Sequence, residues 1–321
     1  MEISRGCYRN STSPLTRLFA LRCGSRHEDP FCAMSELTRA VRETLNSHGP
    51  FGRLEPLLAC RNIVELEVTS HLAADGRLEP KSTTFAGGFR LTVKKSLSDP
   101  RLRFTIAHEV CHTFFYEFVP EMKFVPHDVD QDEERLCNFG AAELLMPMES
   151  VQRDAAALPV SMKSLESLAR TYGVSLEAML RRLRSLQLWR CQLSIWYRMT
   201  NGELVLNRLY GGKHINWRWV DESIVGKALT ERRNSVSTGR TFIGYQDNIG
   251  CLRVAPVYYQ LLRSGNSILA LWSRHPFADE PDNGSLFENP RQKRGRMARK
   301  GPRNRDGARE LVELGKQRFK L

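Results

Sequence analysis

The sequence lacks an apolar run long enough to cross a membrane as a helix, which takes about 20 residues. Its N-terminus has basic residues but no clean apolar stretch followed by a small-residue cleavage site. The eight cysteines include no CxxC pair, which argues against both a zinc-finger pattern and a disulfide framework. These absences predict a cytoplasmic protein with no membrane partner.

Acidic residues are scarce relative to basic ones, and most of the imbalance lies at one end. The net charge is +12, and residues 291–321 contain 12 Lys or Arg against three Asp or Glu. Because this segment has almost no core-forming residues, we predict a basic, solvated and disordered tail over 277–321. Weak electrostatic binding of nucleic acid or of an acidic partner is the alternative.

Strand patterns occur at two places in the first half of the chain, after an irregular segment predicted over 1–33. Residues 61–69, "RNIVELEVT", predict a strand. In "GGFRLTVKKS", Phe89, Leu91 and Val93 alternate with polar residues. This alternation predicts a half-buried strand whose polar face carries Arg90, Thr92 and Lys94.

The stretch "RFTIAHEVCH" contains the pattern HExxH, residues 108–112. On a helix, His108 and His112 lie on one face and can present two imidazoles to one metal ion. Glu109 lies about 100° around the helix, where it can reach a metal-bound water. The pattern predicts a zinc site with Glu109 as the general base, and we expect the adjacent Cys111 to be a small buried residue.

A catalytic zinc site needs a third protein ligand. The acidic segment at 127–134 offers His127, Asp128, Asp130, Asp132, Glu133 and Glu134. Asp130 and Glu133 fit a capping box, which assigns Glu133 to the start of a helix. Glu134 then lies inside that helix, one turn before Asn138, which predicts Glu134 as the ligand and Asn138 as its orienting partner. His127 or Tyr116 could stabilise an oxyanion.

These two stretches together resemble the ImmA/IrrE family of metallo-endopeptidases. "RFTIAHEVCH" and "EERLCNFGAAELLMP" occur in the family's order between Arg103 and Pro147. The resemblance implies His108, His112 and Glu134 as zinc ligands and Glu109 as the base, with Mn²⁺ or Fe²⁺ as alternative ions. Cys111 stands where glycine is common in the family, and Phe139-Gly140 replace a variable residue followed by phenylalanine.

The resemblance also implies an α+β fold with a zincin-like metallopeptidase domain, which we expect at 34–155. A substrate peptide would add as a strand to the edge of its sheet, and the strand at 87–95 is the candidate edge. Family members cut helix-turn-helix repressors in stress or mobile-element regulation. The resemblance therefore implies a protein substrate of that kind.

Two further segments follow the metallopeptidase motifs. Residues 164–186 resemble the helix-turn-helix-like part of family members, which we place at 156–189. Arg181, Arg182 and Arg184 are predicted to face outward. Binding of this pair to DNA and its docking on the peptidase domain both remain open. Residues 190–276 predict a mixed α/β region, which by resemblance is a GAF-like sensor domain.

The sequence thus predicts a zinc-dependent endopeptidase that makes a limited cut in a protein partner. The rival hypothesis is a non-proteolytic transcriptional regulator or sensor that retains a zincin fold. The intact HExxH with Glu134 favours the enzyme, because a binding module has no need of Glu109.

Overall fold

The computed structural model describes residues 29–82, 87–117, 131–189, 191–210, 216–220, 222–227, 236–246, 251–264 and 267–277. The chain divides into two compact units, Met1–Arg190 and Cys191–Leu321. Helices and strands are mixed along the chain, which confirms the predicted α+β class. No helix within the described ranges is long and apolar enough to cross a membrane. The predicted basic tail lies outside the described residues except for Phe277, which is buried. His127 and Asp130 also lie outside them.

From residue 29 onward, where the description of the first unit starts, two helices come first, α1 (Pro30–Thr44) and α2 (Glu55–Cys60). The Asp29 side chain caps α1 by accepting a hydrogen bond from the Phe31 N–H at 2.9 Å, and Pro30 occupies the first helical position. The helix therefore starts four residues inside the segment predicted to be irregular, because Asp-Pro is a helix-start signal.

Three strands follow, β1 (Ile63–Thr69), β2 (Gly76–Pro80) and β3 (Phe89–Lys94). They form one sheet in the order β1-β3-β2, with β3 parallel to β1 and antiparallel to β2. The prediction that β3 is the edge of the sheet is therefore wrong, because β3 is the central strand. Its polar face is also less open than predicted, since Thr92 is buried.

Two long helices pack together beside this sheet, α3 (Asp99–Glu117) and α4 (Gln131–Leu145). The close approach of α4 to α3 and α1 requires a glycine on α4. A Cβ at Gly140 would lie 2.7 Å from the Cys111 sulfur and 2.8 Å from the Met34 sulfur. Cys111 is fully buried, which confirms its predicted role as a small core residue.

The first unit ends with α5 (Met148–Ala156), α6 (Met162–Tyr172) and α7 (Leu176–Ser185). Ser161 and Ser175 cap α6 and α7, and Gly173 ends α6 in the left-handed conformation with φ of 61°. The predicted helical pair and its core are confirmed. The buried core residues are Leu165, Leu168, Ala169, Val174, Met179, Leu180 and Leu183.

One arginine of α7 does not face outward as predicted. Arg182 is buried, donates to the main-chain oxygen of Met146 at 2.9 Å, and pairs with the Glu143 carboxylate at 2.7 Å. Its neighbour Arg181 is exposed and pairs with Glu177, within α7, at 2.6 Å. Arg182 therefore docks α7 on the C-terminal end of α4.

The second unit contains β4 (Gln192–Arg198), β5 (Leu204–Tyr210), β6 (Asn216–Val220), α8 (Glu222–Lys227), β7 (Val236–Gln246), β8 (Leu252–Ser264) and β9 (Ser267–Ser273). Its described strands form one antiparallel sheet in the order β5-β4-β9-β8-β7-β6. One face of this sheet forms a core with Val225 of α8. Two indole N–H groups, of Trp196 and Trp272, both donate to the buried Ser194 hydroxyl. The GAF-like assignment of this unit stays a prediction.

Candidate metal centre

His108 and His112 project from one face of α3 towards α4, as their spacing predicts. Their Nε2 atoms lie 3.2 Å apart, and both side chains are largely buried. Glu134, in the first turns of α4, approaches both imidazoles. One of its carboxylate oxygens is 3.2 Å from His108 Nε2, and the other is 3.5 Å from His112 Nε2.

The three side chains fit a divalent metal ion. Their ligand atoms all lie within 4.8 Å of one another. A tetrahedral zinc site with bonds of about 2.05 Å has ligand–ligand edges of roughly 3.3 Å, close to the 3.2–3.5 Å separations seen here. Two imidazoles and a carboxylate are also a zinc donor set that leaves a fourth position for water or substrate.

Glu133 completes the surroundings of His112. Its buried carboxylate lies 2.7 Å from His112 Nδ1. A metal ion bound at Nε2 would leave the imidazole proton on Nδ1, where the Glu133 carboxylate accepts it. The sequence assigned Glu133 to a capping box, but Asp130, its partner there, lies outside the described residues. The Glu133–His112 contact could have been inferred from the two adjacent glutamates. Neighbouring positions on a helix point about 100° apart, so Glu133 and Glu134 can reach different sides of the site.

Glu109 is buried beside these ligands, with 8% of its surface exposed. Burial raises the pKa of the Glu109 carboxyl above its ordinary value, and the nearby His112 and His108 oppose that shift. The main-chain N–H of Leu78, in β2, donates a hydrogen bond to the carboxylate. For Glu134 the pKa is held well below the usual range by hydrogen bonds from His108 and His112.

Asn138 and Tyr116 lie near the site in different ways. Asn138 is exposed and donates at 2.7 Å to the main-chain oxygen of Glu134, which is a contact with the backbone rather than with the carboxylate. Tyr116 lies one helical turn after His112, and its ring packs against Phe89 at a centroid distance of 5.2 Å. Burial raises the pKa of the Tyr116 hydroxyl. The roles predicted for both residues remain predictions.

Comparison with known families bears on these residues directly. The model of the family Peptidase M78, described as the IrrE N-terminal-like domain, matches residues 67–184. Residues 67–184 form an IrrE N-terminal-like domain. The matched range contains β2, β3, both helices of the metal centre and the pair α6–α7. The match to a peptidase family indicates a metallopeptidase-like role for these residues.

No curated protein matches the chain significantly. Among solved structures, a Mycobacterium tuberculosis transcriptional regulator is similar, with 14% sequence identity and a TM-score of 0.48. The similarity covers 81% of this chain and 80% of that protein.

Proposed function

We propose that this protein is a zinc-dependent endopeptidase that makes a limited, site-specific cut in a protein partner. The proposal is carried by the convergence of His108, His112 and Glu134 beside the buried carboxylate of Glu109. A site that only binds a metal has no use for a second carboxylate at that position. A peptidase requires one as its general base.

The chemistry follows from the donor set. A zinc ion held by the three ligands would polarise a substrate carbonyl and lower the pKa of water towards ~7. Glu109 takes a proton from the attacking water on its carboxylate and later passes it to the leaving amine nitrogen. Glu133 holds His112 by its Nδ1 proton throughout. Mn²⁺ and Fe²⁺ are also compatible with imidazole and carboxylate ligands.

Strand β2, rather than β3, is the proposed edge for substrate. Lys94 N–H donates to the Asp75 oxygen and Lys81 N–H to the Gly88 oxygen, across the β2–β3 register. Main-chain groups in an antiparallel pair alternate in direction, so those of Gly76 and Leu78 point away from β3. Among the described strands β2 has no neighbour on that side. An extended peptide could therefore pair with β2 next to Glu109.

The proposed partner is a helix-turn-helix repressor whose cleavage releases transcription in a stress or mobile-element response. The support is the resemblance of the two motifs to family members that act in this way. The buried Arg182 supports docking of α6–α7 on the peptidase domain rather than a role in DNA binding, because one of the three arginines proposed for an outward basic face is used inside the fold.

The direct test is to incubate the zinc-loaded protein with a small helix-turn-helix protein encoded by a neighbouring gene. We expect one cut, located by mass spectrometry, and no cut with the Glu109→Gln variant. If the repressor stays intact while the wild type cleaves other proteins, the proposed partner is wrong but the peptidase is not.

A further inference from the structure

Strand β2 begins with a glycine that lies against the general base. A Cβ built on Gly76 would be 2.7 Å from Oε1 of Glu109 and 3.0 Å from its Cγ. The same Cβ would be 2.6 Å from the Cγ2 methyl of Thr105, one turn earlier on α3. Ordinary contacts between such atoms are about 3.5–4.0 Å. Any side chain at position 76 would therefore overlap with both α3 residues.

The backbone at Gly76 does not itself demand glycine. Positive φ angles occur among the described glycines at Gly88, Gly173 and Gly202, and Gly76 is not one of them. Gly76 is also paired regularly with Val93 in the β2–β3 register. Alanine is compatible with such a strand backbone. Glycine is therefore needed at this position because Glu109 and Thr105 occupy the space that a side chain would take.

Two residues further along β2, the main chain binds the same carboxylate. The Leu78 N–H is directed at Glu109, and the main-chain groups of Gly76 and Leu78 share the side of β2 that points away from β3. The carboxylate thus lies against the strand between a hydrogen-bond donor and a position without a side chain. The Glu109 side chain is almost wholly buried at this position, with 8% of its surface exposed.

We propose that Gly76 is a positioning residue for the peptidase reaction, because its missing side chain lets the Glu109 carboxylate lie against β2 within reach of the Leu78 N–H. The inference rests on the proposed function. A methyl group at position 76 would push the end of the Glu109 side chain away while leaving the metal ligands in place. The end of a long side chain moves at low cost, so the fold should persist.

The overlap with Thr105 must be separated from the overlap with Glu109. Thr105→Ser removes the Cγ2 methyl and keeps the hydroxyl, so it serves as the parent for the test. Comparing Thr105→Ser with Thr105→Ser/Gly76→Ala leaves Glu109 as the main group opposed to the new methyl. Gly52→Ala is a control for the glycine-to-alanine change itself, because a Cβ there has nothing within 4 Å.

Cleavage is measured on a proteome-derived peptide library, with products read by mass spectrometry. We expect Thr105→Ser and Gly52→Ala to retain the wild-type rate within a few-fold. Adding Gly76→Ala to Thr105→Ser should lower the rate by about 10²-fold, the effect typical of a misplaced catalytic group, while bound zinc is unchanged. Equal rates for Thr105→Ser with and without Gly76→Ala would overturn the proposal.

A second comparison distinguishes a positioning role of Gly76 from a purely structural one. Glu109→Asp shortens the side chain and draws its carboxylate back from position 76. If Gly76 positions Glu109, Glu109→Asp should cost fewer-fold in rate in the Gly76→Ala background than in the wild type. Fully additive costs would contradict a direct contact between the two positions.

Crystal structures of the zinc-loaded variants provide a readout independent of activity. We expect the Glu109 carboxylate to move by about 1 Å or more in Thr105→Ser/Gly76→Ala, the distance needed to reach ordinary contact, and β2 to stay in place. An unmoved carboxylate would overturn the proposal. If the wild type cuts no peptide but the carboxylate moves as expected, the proposed function fails while the contact is upheld.

Discussion

The carboxylate of Glu133 lies 2.7 Å from Nδ1 of His112, on the side of the imidazole opposite the metal centre. The adjacent residue, Glu134, faces the centre itself. One acidic pair at the start of α4 therefore supplies both a candidate ligand and the group that orients another ligand. Loss of the ligand Glu134 and loss of the orienting residue Glu133 should therefore weaken zinc binding to different degrees.

Removing Glu133 should weaken zinc binding without abolishing it. We expect Glu133→Ala to lower zinc affinity by about 10–100-fold, because His112 loses the partner that fixes its tautomer and ring orientation. Glu134→Ala, His108→Ala and His112→Ala should reduce zinc content to a small fraction of one per chain. Affinity is measured by competition with a chelator.

The matched control is Glu149→Ala, an exposed glutamate in the first turn of α5. It should bind zinc as the wild type does. If Glu134→Ala keeps full zinc while Glu133→Ala loses it, the assignment of ligand and orienting residue is reversed.

Pairing of substrate with β2 can be tested at Leu78. Leu78→Pro removes the N–H that points away from β3, whereas Leu78→Ala removes the same side chain and keeps the N–H. Both changes are made with Glu109→Ala, so that the bound peptide is not cut and the Leu78 N–H has no acceptor at position 109. We expect the proline variant to bind a substrate peptide at least 10-fold more weakly, by fluorescence anisotropy. Equal affinities would exclude strand addition at this position.

The docking of α7 predicts a stability difference between two neighbouring arginines. Arg182→Ala leaves Glu143 without its largely buried partner and removes the bond to the Met146 oxygen, which should cost about 3–5 kcal/mol in the free energy of unfolding. Arg181→Ala removes an exposed ion pair worth about 0.3–0.5 kcal/mol. Urea denaturation followed by circular dichroism measures both changes. Similar costs for the two variants would contradict the buried docking role of Arg182.

The basic tail should be dispensable for the chemistry. Deletion of residues 286–321 removes most of the net positive charge but no residue of the metal centre. We expect zinc content to be unchanged and peptide cleavage to stay within a few-fold of wild type. Complete loss of cleavage by a folded, zinc-loaded variant would refute this. A change confined to the salt dependence of partner binding would indicate electrostatic docking.

Helical periodicity carried most of what the sequence could predict about the site. The spacing of His108 and His112 and the phase of Glu134 depend on the helix repeat alone, and the structure brings the three together. The buried face of β3 was likewise readable from its alternation, since Phe89, Leu91 and Val93 are all buried.

The sequence could not show which elements are neighbours in the fold. The alternation in β3 reveals a polar face but not the strands on either side, so its central position was missed. Strand β2, "GRLEP", has only five residues, with glycine at one end and proline at the other, so its alternation is too short to indicate a strand. Arg182 appears on a basic stretch, and only the packing of α7 on α4 shows that it is buried. The Gly76–Glu109 contact could not be predicted either, because it depends on β2 and α3 being neighbours in the fold.

The most direct measurement of the central claim compares the wild type with Glu109→Gln on the proteome-derived peptide library at equal zinc content. The amide is nearly isosteric but cannot take a proton from water, and loss of a general base typically costs about 10²–10⁴-fold in rate. We predict new peptide termini with the wild type and none with Glu109→Gln. The same products from both proteins, or none from a fully zinc-loaded wild type, would contradict the account.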